Sequence, residues 1–215
     1  MNFRTTSATT PDAIRLLYYD DVENLFKNGD VIKEGSKQDV RLCKYRNRPF
    51  VIKSYDAKGI FQAFRILIRW SRPHNSMRTA NHLRSRGILC PEHFMVVARY
   101  RPCSARAYLV MEYVSGLKFR DFFFSETPRT LSEETAQATI NIIKSFHELG
   151  MTHGDLHAQN LIVQDDLTVQ LIDLDNVRKA RHRQNKDTSR FKASIAKGNQ
   201  NTEVILRKIE EQLSK

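Results

Sequence analysis

The sequence predicts an α+β fold, with an antiparallel sheet in its first half and a compact, mostly helical second half. Two observations predict it. Short apolar runs bounded by turn residues recur between Asp30 and Tyr113, and from Ser132 onward the apolar spacing changes to the period of helices. A third observation concerns chemistry: the stretch FHELGMTHGDLHAQNLIVQDDLTVQLIDLDN, Phe146 to Asn176, holds polar residues around two further apolar runs.

Met1 to about Pro11 is polar and Thr-rich and reads as a poorly ordered tail. Asp12 to Phe26 is a lead-in segment, with Tyr18 and Tyr19 available for packing. Strands are predicted over Asp30–Lys33, Val40–Lys44 and Phe50–Tyr55, separated by the turn signals Glu34-Gly35-Ser36 and Arg46-Asn47-Arg48-Pro49. Ile60–Trp70 intersperses Phe61, Phe64, Ile66, Leu67 and Ile68 with Arg65 and Arg69, which predicts a basic amphipathic helix ending before Pro73. A second helix starts near Ser76, keeps Met77, Ala80 and Leu83 in step, and stops at Gly87. Phe94–Tyr100 and Ala107–Tyr113 are two more strands, Gly116 ends the sheet, and Lys118–Phe124 forms a short helix.

In the second half, Thr130 and Glu133 have capping-box spacing, and Ala136, Ile140, Ile143 and Phe146 make one helical face down to Gly150. Leu161-Ile162-Val163 and the run around Val169, Leu171 and Ile172 form a hairpin joined by Asp166-Leu167-Thr168. The basic segment after Val177 feeds a helix near Thr188–Ala196. Asn199-Gln200-Asn201 breaks it, and a charged helix spans Thr202–Leu213.

At 215 residues, 40% hydrophobic and 27% charged, the chain has an ordinary globular composition. No run approaches the roughly 18 to 20 apolar residues that span a bilayer, and the N-terminus lacks a signal-peptide core. Cys43, Cys90 and Cys103 are scattered, without a CxxC pair, as expected of free thiols in a reducing cytosol and not of a zinc site. Charge is uneven. From Arg41 to Arg86 there are twelve Lys or Arg and one acid, Asp56, an excess equal to the +11 of the whole chain. That asymmetry predicts an anionic partner. No recognised nucleic-acid motif accompanies it, so no nucleic acid is expected.

Asp155, Asn160 and Asp173 are three oxygen-bearing side chains on loops held by strands, a set suited to binding Mg-nucleotide and delivering a hydroxyl to a phosphate. One such Asp alone is more often a turn residue, the reading given to Asp175 and to Asp165-Asp166. The pattern FHELGMTHGDLHAQNLIV followed by LIDLDN resembles the catalytic core of the protein-kinase-like superfamily over roughly residues 30 to 195. His153-Gly154-Asp155 stands where protein kinases have His-Arg-Asp, and Ile172-Asp173-Leu174 where they have Asp-Phe-Gly. The resemblance implies a two-lobed protein-kinase-like fold, with an antiparallel-sheet N-lobe over residues 30–116 after a 1–29 lead-in and a compact C-lobe over 117–215. It implies Asp155 as the catalytic residue that orients the hydroxyl and His153 as organiser of its loop. His157, where protein kinases carry a phosphate-contacting Lys, either contacts phosphate or faces solvent. Asn160 and Asp173 would hold Mg²⁺, Lys53 would pair with the nucleotide phosphates under the backbone near Gly35, and the backbone of Glu112, Tyr113 and Val114 would bond adenine.

The compact C-lobe, the SRPHNSMRTANHLRSRGILCP segment, the HGDLHAQN loop and LIDLDNVR most resemble the lipopolysaccharide kinase family, the Kdo and heptose inner-core kinases. HGDLH also resembles aminoglycoside phosphotransferases, and an atypical protein kinase or a nucleotide-binding pseudokinase remains an alternative. The first resemblance implies ATP and Mg²⁺, an anionic glycolipid substrate, and a cytoplasmic protein at the inner face of the inner membrane. There the basic first half and the Phe61–Trp70 helix would meet sugar and lipid.

Overall fold

The structure, a computed structural model, describes residues 1–35, 38–68, 71–101, 103–124, 129–196 and 200–213. Ser36, Trp70, the Thr130 side chain of the expected capping box and Asn199 of the expected break lie outside that set. The chain divides into two units, Met1–His82 with Pro91–Tyr113 and Leu83–Cys90 with Val114–Lys215.

The first unit runs β1 (Asn2–Thr6), α1 (Asp12–Arg15), α2 (Tyr19–Lys27), β2 (Asp30–Lys33), β3 (Val40–Tyr45), β4 (Arg48–Lys58), α3 (Ile60–Leu67), α4 (Arg72–Arg84, whose last residues enter the second unit), β5 (His93–Arg101) and β6 (Ser104–Glu112). Its strands form a six-stranded antiparallel sheet in the order β1-β5-β6-β4-β3-β2. Arg46 and Asn47, both at positive φ, make the tight β3–β4 turn.

Helices cover both faces of this sheet, which explains why β5 and β6 read as continuous apolar runs. Met95, Val97, Tyr108 and Val110 pack with Ile14, Leu17, Tyr19, Val22 and Phe26 from α1, α2 and their flanks. Their sequence neighbours Val96, Ala98, Ala107 and Leu109 turn to the other face, against Ala63, Ile66 and Met77 from α3 and α4. Side-chain alternation along the strand thus loads both layers.

Three expectations need correction. Met1–Pro11 is not a loose tail: β1 pairs with β5 from Asn2↔Arg99 to Thr6↔Met95, and Thr10 Oγ1 donates to the Phe94 carbonyl at 2.5 Å. Backbone pairing to an edge strand supplies what an apolar run does not, and Thr is β-branched. The second predicted helix begins at Arg72 instead of Ser76, because Pro73 occupies its first turn, where no N–H is required. Strand β4 runs on to Lys58, and there Asp56 is held bidentately by Arg106 of β6, at 2.5 and 3.0 Å.

The second unit contains β7 (Leu117–Lys118), α5 (Phe119–Phe124), α6 (Arg129–Glu148), β8 (Met151–Thr152), β9 (Leu161–Val163), β10 (Val169–Leu171), β11 (Arg178–Lys179), α7 (Gln184–Ile195) and α8 (Gln200–Leu213). Its small sheets are β10-β9-β7 and β11-β8, both antiparallel. The expected face of α6 is the buried one: Ala136, Ile140, Ile143 and Phe146 are all essentially inaccessible. Asp166 closes the β9–β10 hairpin by accepting from the Thr168 N–H and hydroxyl. Phe119 stacks against Phe123 at 4.4 Å and Phe191 at 5.6 Å, which clamps α7 to α5. All three rings are fully buried.

Candidate active site

Residues 153–160 link β8 to β9, and residues 172–177 link β10 to β11. Because β8 pairs with β11 and β9 with β10, the two loops span the same pair of ladders and run side by side. Two hydrogen bonds cross-link them at Ile172. Its carbonyl receives the His153 Nε2–H at 2.9 Å, and its N–H donates to the Asn160 carbonyl at 2.8 Å. Asp173, the next residue, then enters the left-handed region at φ 58°. A non-glycine residue held there is strained, and such positions cluster at working sites.

His153 is fully buried. Burial holds its pKa below the ordinary value near 6.5; the Ile172 carbonyl and the Asp187, Asp173 and Asp155 carboxylates pull the other way with less effect. The ring is therefore neutral, with its proton on Nε2. Since the folded pKa lies below the unfolded one, the unfolded chain takes up the extra proton. This stability is present above pH 6.5 and is lost as pH falls through the folded value. The expected result is a urea midpoint that declines from pH 7 to pH 5, with a shallower decline in His153→Gln. An unaltered pH slope in that variant would refute it.

Asp155 is half exposed and has a neighbour at each oxygen. His157 Nε2 lies 3.5 Å from Oδ2, and Arg190 lies 3.7 Å from Oδ1. His157 Nδ1 accepts the Gln159 N–H at 3.3 Å, which fixes the ring beside Asp155. Asn160 Nδ2 donates to the Asp155 carbonyl at 2.9 Å and lies 3.2 Å from His157 Nε2. The amide is buried and its nitrogen is spent on the loop, so its Oδ1 is the atom left to act as a ligand.

The sequence reading missed what holds this loop. Helix α7 presents Asp187, Arg190 and Ser194 at i, i+3 and i+7, one face of a helix. The buried Asp187 carboxylate receives the His153 N–H at 2.5 Å and the Gly154 N–H at 3.0 Å. Arg190 donates to the Gly154 carbonyl, and Ser194 Oγ receives the Ala158 N–H at 2.9 Å. His147 Nε2 is 4.0 Å from Asp187, but burial lowers its pKa too, so it is a neutral neighbour and not an ion-pair partner. The i, i+3, i+7 spacing was visible in the sequence, inside a basic run where a single Asp drew no attention.

Gly154 has φ +77°, and a Cβ there would stand 2.8 Å from the Asn176 carbonyl oxygen. The conformation and the close approach both require glycine, which explains why no arginine occupies this position. Gly154→Ala is expected to lower the melting temperature by several degrees, measured by calorimetry; an unshifted melt would show that the loop yields freely.

The remaining predicted residues belong to the first unit, except Val114, which belongs to the second. Lys53, near the middle of β4, is buried and opposite Leu109 of β6; its ammonium is 5.8 Å from the Tyr55 ring. Glu112 ends β6, its N–H donating to the Glu92 carbonyl at 2.8 Å while its carboxylate accepts the Glu92 N–H. Tyr113 is partly exposed and Val114 buried. The Gly35 N–H donates to Asp39 at 3.0 Å.

The family described as "Lipopolysaccharide core biosynthesis protein (WaaY)" matches residues 17–204, most of the chain. This chain belongs to the WaaY family. No curated protein matches it. WaaY proteins form a heptose-kinase family of the lipopolysaccharide core, so membership implies core kinase activity and ATP as the donor. For a metal, the donor set is informative: among the described residues no group of three or more His, Cys, Asp or Glu could cage an ion. Mg²⁺ is usually held by one or two protein oxygens with substrate phosphates completing the shell, and Asp173 with the Asn160 amide oxygen fits that manner of binding.

Proposed function

We propose that this WaaY-family protein transfers the γ-phosphoryl group of ATP to a sugar hydroxyl, on heptose or Kdo, of the lipopolysaccharide inner core. We read its two units as the lobes of a protein-kinase-like fold, close to 30–116 and 117–215. The observation that carries the reading is the pair of cross-linked loops, which gathers Asp155, Asn160 and Asp173 around a neutral buried His153. Asp155 accepts the proton of the acceptor hydroxyl as its oxygen bonds to the γ-phosphorus and the bond to the departing ADP oxygen breaks. His157 holds the Oδ2 side of that carboxylate in place. Asn160 and Asp173 would hold Mg²⁺, which supplies charge neutralisation between the phosphates. Lys53 pairs with the phosphates, the backbone near Gly35 covers them, and the Glu112 carbonyl with the Tyr113–Val114 backbone reads the base. The test is phosphate transfer from radiolabelled ATP to core lipopolysaccharide by the full chain. Transfer abolished in Asp155→Ala is expected. Mg-ATP binding without transfer to any core acceptor would instead make the protein a nucleotide-binding pseudokinase.

Helix α3 supports work at a membrane surface. Ala63 and Ile66 face the core. Ile60, Phe61, Phe64 and Ile68 fall within about 100° of a different arc, and all are exposed, Phe61 at 83%. Exposed Lys58, Arg65 and Arg72 flank this arc, and no acid occurs from Ala57 to Pro91. Among the described residues no helix is long and apolar enough to cross a membrane. An apolar arc with basic flanks suits shallow insertion into an anionic bilayer, where a lipid-linked acceptor resides. Phe61→Glu with Phe64→Glu is expected to abolish sedimentation with phosphatidylglycerol vesicles and leave the melting temperature unchanged. Undiminished sedimentation would refute the contact.

A further inference from the structure

Arg190 has no role in the assignments above beyond its contact with the Gly154 carbonyl. Its side chain is 47% exposed, and Nη1, the nitrogen that donates to Gly154, is 3.7 Å from Asp155 Oδ1, beyond hydrogen-bond distance. Apart from Gly154 and Asp155, it has no polar partner among the described residues. Arginine presents its donors as a planar fork that matches phosphate and carboxylate oxygens; here Nη1 is anchored at the Gly154 carbonyl, while Nε and Nη2 have no partner among the described residues.

The surroundings extend the same charge. Lys186 precedes Arg190 by one turn (i−4) on the exposed surface of α7, and exposed Arg183, the residue just before the helix, adds a third cation to this stripe. Between Val177 and Ala196 the only acid is Asp187, which is buried and occupied by two backbone N–H groups. Nothing within that segment neutralises the stripe.

The side of Asp155 on which Arg190 stands decides what it meets. Oδ2 faces His157, which adjoins the Asn160 amide. Oδ1 faces Arg190. If Asn160 marks the nucleotide and metal side, Arg190 marks the opposite side, where an acceptor approaches. We propose that Arg190, backed by Lys186 and Arg183, is a specificity residue that binds an oxyanion already carried by the acceptor saccharide, close to the hydroxyl to be phosphorylated. The proposal rests on the kinase reading for its orientation. It makes the enzyme selective for a core already bearing an anionic group, so a reaction that installs that group must come first.

The test uses the full chain, ATP and three acceptors: intact core lipopolysaccharide, the same material dephosphorylated with hydrofluoric acid, and the same material with its carboxylates reduced. Arg190→Gln is expected to raise KM for the intact acceptor about 10- to 100-fold while KM for ATP stays within about twofold. Arg190→Lys, which keeps the charge and loses the fork, recovers part of that affinity. A penalty that disappears with the dephosphorylated acceptor assigns the oxyanion to a phosphate; one that disappears only with the carboxyl-reduced acceptor assigns it to a sugar carboxylate. An equal penalty on all three acceptors, a raised KM for ATP, or a fall confined to kcat overturns the proposal and leaves Arg190 a prop for Gly154. Calorimetric binding of the core oligosaccharide separates the two readings. Wild type that binds through Arg190 without transferring phosphate refutes the kinase reading and keeps the subsite, whereas binding unaltered by Arg190→Gln refutes the subsite.

Discussion

Asp155→Asn lowers kcat about 100- to 10,000-fold with little change in KM for ATP and an unchanged melting temperature. The carboxylate is half exposed, and its two neighbours lie at 3.5 and 3.7 Å, so no buried network collapses when its charge is removed. The Asn160 contact is made to the Asp155 backbone carbonyl, which the substitution leaves in place. What disappears is the group that takes the hydroxyl proton. An amide still fills the space and still orients an acceptor, so some transfer persists. Single-turnover measurement of phosphate transfer checks the chemical step directly. If Asp155→Asn keeps more than about a third of wild-type kcat, Asp155 is not the proton acceptor.

Removing the Asp187 carboxylate produces the largest loss of stability expected for a single side chain in the second unit. Two loop N–H groups, of His153 and Gly154, lose an ionised acceptor at once. Each buried donor left without a partner costs about 1–3 kcal/mol. Because Asp187 is almost inaccessible, water cannot replace it without opening the packing around Phe191. Asp187→Ala is therefore expected to lower the urea midpoint strongly and to abolish transfer even where the chain stays folded. Asp187→Asn, which keeps one acceptor oxygen, loses less of both. Wild-type denaturation of Asp187→Ala would show that the loop N–H groups find other partners and that α7 does not hold the loop.

The two predictions differ in how far a linear reading could reach them. Asp155, Asn160 and Asp173 lie within 19 residues of one another and bracket the apolar runs that the structure forms as the β9–β10 hairpin. Short spacing and a recognisable hairpin made that group legible. Asp187 lies in a segment whose charge suggested only a basic loop feeding a helix, and its partners are more than thirty residues away. The same holds for Ser194 and Arg190. Long-range pairing to backbone N–H groups has no local signature, because any Asp in a helix's first turn satisfies local rules equally well.

In the first unit the reading succeeded where periodicity decides. The strands of the meander and the core-facing positions of α3 and α4 follow from alternation and helical spacing. It failed at β1, where Thr-rich backbone joins the edge of β5, and at Asp56, which the register places opposite Arg106. Both are facts of strand order, which depends on pairings between segments far apart in the chain and leaves no local pattern in the sequence.

By itself, then, the sequence determined the α+β class, the two loops with their oxygen-bearing residues, the basic charge and the kinase family that the family match bears out. These are properties of spacing and composition, readable within a few turns or strands. Only the tertiary structure decided that His153 is neutral, that Gly154 must be glycine, and that α7 holds the loop through Asp187 and Ser194 and sets Arg190 beside Asp155. Each of those depends on burial or on a hydrogen bond between distant segments. The energy of such a contact exists only after the chain has closed the loop that brings its partners together.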